Sequence, residues 1–175
     1  MIIRALLTAL AVLLAYLGQA WLPGILPASL AGICPNLMLI VTMTIAILRG
    51  PKFGMLTGFF CGLLQDVTGG GLIGFFALFY LYAGYLNGLL QEFITEDMLL
   101  IPLVVFTADE LVYGLYVFVF RFLLKGDRNL MNFAATKLLP EFVVSVVLLV
   151  FIYGLILRID GWLTARERKK EVKFG

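Results

Sequence analysis

Long apolar runs, separated by short charged segments, constrain the fold of this chain more than any other feature. They recur along the whole length of 175 residues, so that 62% of the residues are hydrophobic and only 14% are charged. Soluble globular proteins lie well outside this balance. Because a membrane-spanning helix needs roughly 20 apolar residues, the sequence predicts an all-α integral membrane protein with six transmembrane helices in one compact bundle.

The predicted spans cover residues 5–22, 35–48, 53–67, 72–90, 99–124 and 138–157 of a single polytopic membrane domain, residues 1–175. A basic tail, residues 158–175, follows the last span. The first run resembles a secretory signal, with Arg4 before it and small residues near its end. It continues through Trp21 without a polar region, which favours a first span over a cleaved leader.

The Lys and Arg residues indicate the orientation. Six spans place both termini on one side, together with nine of the 13 cations: Arg4, Arg49, Lys52, Arg158, Arg166, Arg168, Lys169, Lys170 and Lys173. The positive-inside rule therefore predicts cytoplasmic termini and a multi-pass protein of a bacterial inner membrane. The tail can bind anionic lipids or dock a cytoplasmic protein, whereas a net charge of +2 gives no indication of nucleic-acid binding.

One face of span 3 has no side chains. Glycines recur every four residues there, and the same spacing appears in span 4; the positions are Gly54, Gly58, Gly62, Gly84 and Gly88. Residues four apart share a helix face, and bare faces let helix backbones approach closely within a membrane. The pattern predicts a groove that is filled either by another helix of the bundle or by a partner's helix.

Asp66 is the next residue in the glycine series of span 3. A carboxylate at this position can cap the turn into span 4 by accepting hydrogen bonds from the N–H groups of Gly69 to Gly71. The alternatives are a carboxylate that faces an outward-opening cavity, or a contact for another protein.

Two adjacent acids, Asp109 and Glu110, lie inside span 5. An ionised acid at the centre of a bilayer costs roughly 3 kcal/mol, and adjacent helical residues point about 100° apart, so each acid needs its own partners. The candidate hydrogen-bond donors are Asn87, Tyr80, Tyr82 and Tyr85 of span 4 and Tyr113 of span 5 itself; the alternative is that the acid keeps its proton. Glu141, near the outer end of span 6, can reach Lys137 one turn back. These acids could form a proton or ion path, a polar ligand cavity, or structural links between helices.

Composition excludes several classes of site. The chain has no His and only two cysteines, Cys34 and Cys61, which excludes a His/Cys metal cluster and a His-based catalytic relay. No nucleophile with an adjacent base and no phosphate-binding motif is apparent. The sequence therefore predicts a protein that is not an enzyme and that binds no metal or cofactor.

The region from Cys34 to Gly88 resembles the core of the rod shape-determining MreD family. The resemblance rests on a Pro-Asn pair at the start of span 2, the basic turn "RGPK", and the Gly-x-x-x-Gly-Phe-x-x-Gly-x-x-x-Asp segment with a later glycine; the positions are Pro35, Asn36, Gly54, Gly58, Phe59, Gly62, Asp66 and Gly74. Asp109 is also similar to an acid in span 5 of family members.

This resemblance implies a non-enzymatic scaffold of the bacterial elongation machinery, with a role in cell shape and lateral peptidoglycan synthesis. The implied partners are an MreC-like bitopic protein, RodA, a penicillin-binding transpeptidase and an MreB-like cytoskeleton. The family's fold is similar to the substrate-binding subunits of energy-coupling-factor transporters. The alternative is therefore a membrane subunit that binds a vitamin or another small molecule.

Overall fold

A computed structural model describes residues 2–25, 34–69, 73–93, 100–125 and 139–174. Side chains are described within residues 3–22, 24, 34–69, 73–93, 100–120 and 140–162. The described chain is helical throughout apart from short turns, as expected. Its α-helices are α1 (Ile2–Ile25), α2 (Leu37–Arg49), α3 (Pro51–Gly69), α4 (Phe75–Leu89), α5 (Leu100–Lys125) and α6 (Leu139–Phe174), and the 3-10 helix Leu90–Phe93 follows α4.

Three of these helices are long and apolar enough to cross a membrane: Ile3–Leu22, Leu100–Phe120 and Pro140–Trp162. Leu37–Arg49 is apolar but shorter. These segments support the expectation of a membrane protein. The sequence placed the end of the last span at residue 157, whereas α6 continues as a helix to Phe174.

Helix α2 lies at the centre of the described structure. Every residue from Leu37 to Ile47 is buried, because α2 packs against all five other α-helices. Its two buried hydroxyls need acceptors within the helix: Thr42 donates to the carbonyl of Met38, and Thr44 to that of Ile40. These bonds leave neither hydroxyl group unpaired in an apolar interior.

Local sequence explains the sharp connection between α2 and α3. Gly50 ends α2 with φ of 86°, a conformation that side chains rarely allow, and its N–H donates to the carbonyl of Ala46. Pro51 then occupies the first position of α3, where a missing N–H is harmless. The two helices therefore turn directly into each other through the "RGPK" segment.

Candidate functional site

The glycine face of α3 is filled by α4. A Cβ atom on Gly58 would lie 2.0 Å from the carbonyl oxygen of Tyr80, and one on Gly62 would lie 2.4 Å from Cα of Ala77. Gly54 and Gly84 face each other across the same contact, where a Cβ on either would meet the other's backbone. The bare face is thus an internal packing surface in this structure, and a partner's helix has no room there.

Further along α4, Gly88 extends the contact to the start of α3. A Cβ on Gly88 would lie 2.3 Å from Cα of Pro51. Both glycine series therefore serve one interface, which is the most extensive helix–helix contact among the described residues.

Asp66 caps the beginning of α4. Its carboxylate accepts hydrogen bonds from the backbone N–H groups of Gly74 at 2.9 Å, Phe76 at 2.8 Å and Ala77 at 3.0 Å. These N–H groups have no acceptor within the helix. The expected donors were those of Gly69 to Gly71, and this detail was wrong for Gly69, because α3 continues through that residue; residues 70 and 71 lie outside the described part of the chain.

A buried polar cluster lies where α2 begins, and we call it the Asn36 cluster: Asn36, Tyr80, Glu110, Glu141 and Ser145. Oδ1 of Asn36 accepts hydrogen bonds from the Tyr80 hydroxyl at 2.6 Å and from the N–H of Leu39 at 3.3 Å, so the side chain caps α2. The N–H of Asn36 donates to the Ser145 hydroxyl at 3.1 Å. One residue therefore joins α2, α4 and α6.

Two carboxyl groups complete the Asn36 cluster. Glu110 of α5 and Glu141 of α6 are both buried, with 2% and 8% exposure. Glu110 lies within electrostatic reach of Glu141 and of the Asn36 side chain. Among the described residues, Asn36 Nδ2 and Glu110 Oε2 have no hydrogen-bond partner of ordinary geometry. The amide, carboxyl and hydroxyl groups of the cluster do not form an activated nucleophile.

Asp109 points away from its neighbour. Its Oδ2 atom accepts a hydrogen bond from the Asn87 side chain of α4, one of the partners expected from the sequence. The two adjacent acids thus have separate partners, as the helical geometry requires. Tyr82 and Tyr85 do not contribute, since both are exposed on the outer face of α4.

The remaining positions of the family motif differ in their burial and backbone conformation. Pro35 is fully buried next to Asn36, whereas Phe59 is 38% exposed on α3. Gly74, the N-cap residue before α4, has φ of 102°, which explains a glycine there. Lys137, the expected partner of Glu141, lies outside the described residues. The described part of the chain contains no group of three His, Cys, Asp or Glu residues that could hold a metal.

An ion pair at the opposite end of α2 was missed from the sequence. Arg49 donates to Asp160 Oδ1 from Nη2 at 2.9 Å and from Nε at 3.1 Å, and its Nη1 donates to the carbonyl of Arg4 and to the Thr8 hydroxyl. The Arg49 side chain is only 6% exposed. The sequence could have indicated this pair, because Arg49 and Asp160 lie at the ends of spans on the same predicted side of the membrane, although they are 111 residues apart.

A second missed link connects α1 to the rest of the helices. Gln19 donates from Nε2 to Gln65 at 3.1 Å, and its Oε1 accepts from the N–H of Met38 at 3.3 Å. A lone Gln in an apolar span was the signal for this link, because such side chains usually bond to a neighbouring helix.

Comparison with known proteins identifies the family. The family described as rod shape-determining protein MreD matches residues 1–159, far more than the region that carries the motifs. None of the curated proteins and none of the solved structures matches the chain. The family is defined by a role in rod shape determination rather than by a reaction. The resemblance seen in the sequence is confirmed, and the chain belongs to the MreD family of rod shape-determining membrane proteins.

Proposed function

We propose that this protein is a membrane scaffold of the cell-elongation complex, which binds an MreC-like bitopic protein and thereby supports lateral peptidoglycan synthesis. The family match over residues 1–159 is the observation that carries this proposal. RodA, a penicillin-binding transpeptidase and an MreB-like cytoskeleton are the further partners that we expect in the same assembly. Anionic lipids would bind the basic segment after residue 157.

The proposed architecture is one bundle of six spans in the bacterial inner membrane, with both termini in the cytoplasm. Helices α2 and α4 have 13 and 15 residues, fewer than the roughly 20 that a lipid-exposed span needs. This shortness is acceptable for α2, because protein rather than lipid surrounds it along its length. The distribution of cations supports the orientation.

The transporter-subunit alternative receives less support. The grooves formed by described side chains are lined mainly by aliphatic and aromatic residues, whereas a site for a vitamin needs several convergent polar groups. The Asn36 cluster is polar, but none of its side chains lines these grooves. We therefore retain the scaffold as the proposed function.

Complementation and co-purification test the proposal together. The chain, carrying an affinity tag, is expressed in a rod-shaped bacterium depleted of its own family member and supplied with the MreC-like protein from the same source as the chain. We expect restored rod shape and recovery of that protein from detergent-solubilised membranes. Round cells, together with a tagged chain that is folded but recovers no MreC-like protein, would contradict the proposal.

A labelling experiment tests the orientation. Cys34 and Cys61 are replaced by Ser, and single cysteines are introduced at positions 128 and 170. An impermeant maleimide added to intact spheroplasts should label position 128 and leave position 170 unlabelled until the membrane is opened. The reverse pattern would exclude cytoplasmic termini.

A further inference from the structure

A shallow groove of about 240 Å³ runs between α4 and α5 on the outside of the helices. Its rim consists of large side chains that remain exposed: Leu78 at 53%, Tyr82 at 57%, Leu86 at 58% and Val112 at 56%. In a membrane, such a groove faces lipid or another helix. Ala83, a small residue, lies at its floor and is 7% exposed.

Asp109 lies in the wall of this groove. Asn87 binds its Oδ2 atom, whereas no described residue donates to Oδ1, and Oδ1 is not one of the buried atoms that lack a hydrogen-bond partner. Oδ1 is therefore accessible from the groove. Asp109 is also the tenth residue of the 21-residue span Leu100–Phe120, which places it close to the middle of the hydrocarbon layer.

Lipid cannot satisfy this oxygen. Acyl chains offer no hydrogen-bond donor, and an acid at the centre of the bilayer costs roughly 3 kcal/mol. Polar side chains from a neighbouring helix supply the missing donor in many membrane proteins, and small residues let the two helices approach. The groove provides both features, an open acceptor and a small residue, on adjoining helices.

The two other large grooves differ in this respect. Both lie beside α1, where the groove toward α6 includes Arg49 and the groove toward α3 includes Thr57. Arg49 is bonded to Asp160 and to Thr8, and Thr57 is buried. Neither groove has an acidic side chain in its described lining, so charge complementarity favours the groove at Asp109.

We propose that the groove between α4 and α5 binds the transmembrane helix of a single-spanning partner, which places a hydrogen-bond donor or cation in the middle of its span against Asp109 Oδ1. This inference rests on the proposed function, because the partner that we expect is the MreC-like bitopic protein. It assigns that partner to the α4–α5 groove instead of the glycine face of α3, which α4 fills.

Photocrosslinking in living cells tests the assignment. A benzophenone amino acid is placed at position 82, 86 or 112 in the groove and, as matched controls, at Leu13 of α1 and Leu155 of α6, which are 53% and 60% exposed. Irradiated membranes are purified through the tagged chain, and adducts are identified by mass spectrometry. We expect the MreC-like protein from the three groove positions, with the adduct on its transmembrane segment, and no such adduct from the two controls.

Variants then test whether Asp109 accepts a hydrogen bond from the partner's helix or only binds Asn87. Asp109→Leu should lower the crosslink yield at position 82 about fivefold, the factor given by roughly 1 kcal/mol of interhelical hydrogen bonding. Asp109→Asn keeps an acceptor oxygen and should retain most of the yield. Asn87→Ala breaks the hydrogen bond between Asn87 and Asp109, as Asp109→Leu does, but it leaves Asp109 in place, so it should also retain the crosslink. The yields of all three variants are compared at equal recovery of folded protein.

Several results would overturn the inference. Adducts at the groove positions with lipid alone, or with a second copy of this chain, would assign the groove to a different occupant. If Asp109→Leu and Asn87→Ala lowered the crosslink yield equally, Asp109 would have only a structural role, as the partner of Asn87. Crosslinks to the MreC-like protein from Leu13 or Leu155 alone would leave the proposed function intact and move the binding site, whereas co-purification that fails entirely would count against the proposed function itself.

Discussion

The contact between α3 and α4 differs in kind from the contacts that attach α5 and α6. Backbone meets backbone between α3 and α4, where Gly58 lies against the carbonyl of Tyr80 and Gly62 against Ala77. Helices α5 and α6 reach the other helices through side chains, both polar ones, as in the bonds of Ser145 to Asn36 and Arg49 to Asp160, and apolar ones such as Phe106 and Leu149. The first contact depends on the absence of side chains, and the second depends on their presence.

This difference has a physical consequence. Helices in lipid gain little from hydrophobic burial, so association rests on close packing and hydrogen bonds. A glycine contact has one arrangement and no tolerance for added atoms, whereas each polar link can be lost singly at a cost of about 1–2 kcal/mol. The α3–α4 pair is therefore the rigid part, whereas the links that attach α5 can be lost one at a time.

Stacked rings reinforce the polar attachment of α5. The Tyr116 hydroxyl donates to the carbonyl of Phe75 at 2.9 Å, and the two rings stack with centroids 4.2 Å apart. Phe79 also contacts the Tyr113 and Tyr116 rings. Aromatic pairs of this kind add about 1 kcal/mol each, so α5 has several separate attachments, each of modest strength.

Gly58→Leu should have the largest effect. Its Cβ alone would lie 2.0 Å from a backbone oxygen of α4, which cannot move without separating the helices. We expect destabilisation of about 3 kcal/mol or more, seen as loss of monodisperse protein in detergent. Gly154→Leu is the matched control, because a Cβ atom on Gly154 would meet no described atom within 4 Å; similar recovery of the two variants would disprove the close contact.

The Arg49–Asp160 pair tests the polar attachment of α6. Asp160→Leu should destabilise the protein by about 2 kcal/mol, less than for a fully buried pair because Asp160 retains 15% exposure. Arg49→Leu should cost at least as much, since it also removes the bonds to Arg4 and Thr8. A double-mutant cycle on the free energy of unfolding in mixed micelles measures the coupling. Strictly additive losses would show that the pair does not hold α6.

Asp66→Ala tests the helix cap that the Asp66 carboxylate forms within the α3–α4 pair. It removes the acceptor for three backbone N–H groups at the start of α4, and we expect a loss of about 1.5 kcal/mol. Asp66→Asn keeps one acceptor oxygen and should lose roughly half as much. Thr68→Ala is the control, because the Thr68 hydroxyl bonds only to carbonyls of its own helix. Thermal midpoints in detergent rank the variants, and an Asp66→Ala midpoint equal to that of the control would contradict the cap.

Sequence patterns predicted the parts of this fold that depend on local chemistry. Apolar runs located the helices, and the four-residue spacing of Gly54, Gly58 and Gly62 predicted a close helix contact. The pattern did not identify α4 as the helix that fills the face, because a bare groove accepts any helix backbone. The cap by Asp66 was anticipated in kind, but its donors depend on where α3 ends and α4 begins, and helix ends depend on tertiary context.

Long-range polar pairs were the least predictable features. Asn36 reaches Ser145 across 109 residues, and Arg49 reaches Asp160 across 111. Nothing in local periodicity relates such positions, since they become neighbours only when α6 packs on α2. The sequence alone indicated that the two acids of span 5 are costly to bury. It did not predict that Asp109 would contact Asn87 and Glu110 the Asn36 cluster, because these contacts depend on how α4 and α5 pack.

Tyr80→Phe should cost less than Gly58→Leu, Asp160→Leu or Asp66→Ala, and it separates the two regions at a single residue. The backbone of Tyr80 packs against Gly58, while its hydroxyl donates to Asn36 at 2.6 Å. Phenylalanine preserves the first contact and removes the second, so we expect a loss of about 1 kcal/mol, the usual value of one buried hydrogen bond. Tyr82→Phe, at a 57% exposed position, should leave the thermal midpoint unchanged. A loss as large as that of Gly58→Leu would mean that the polar cluster and the glycine contact form one cooperative unit, and the distinction between the two regions would fail.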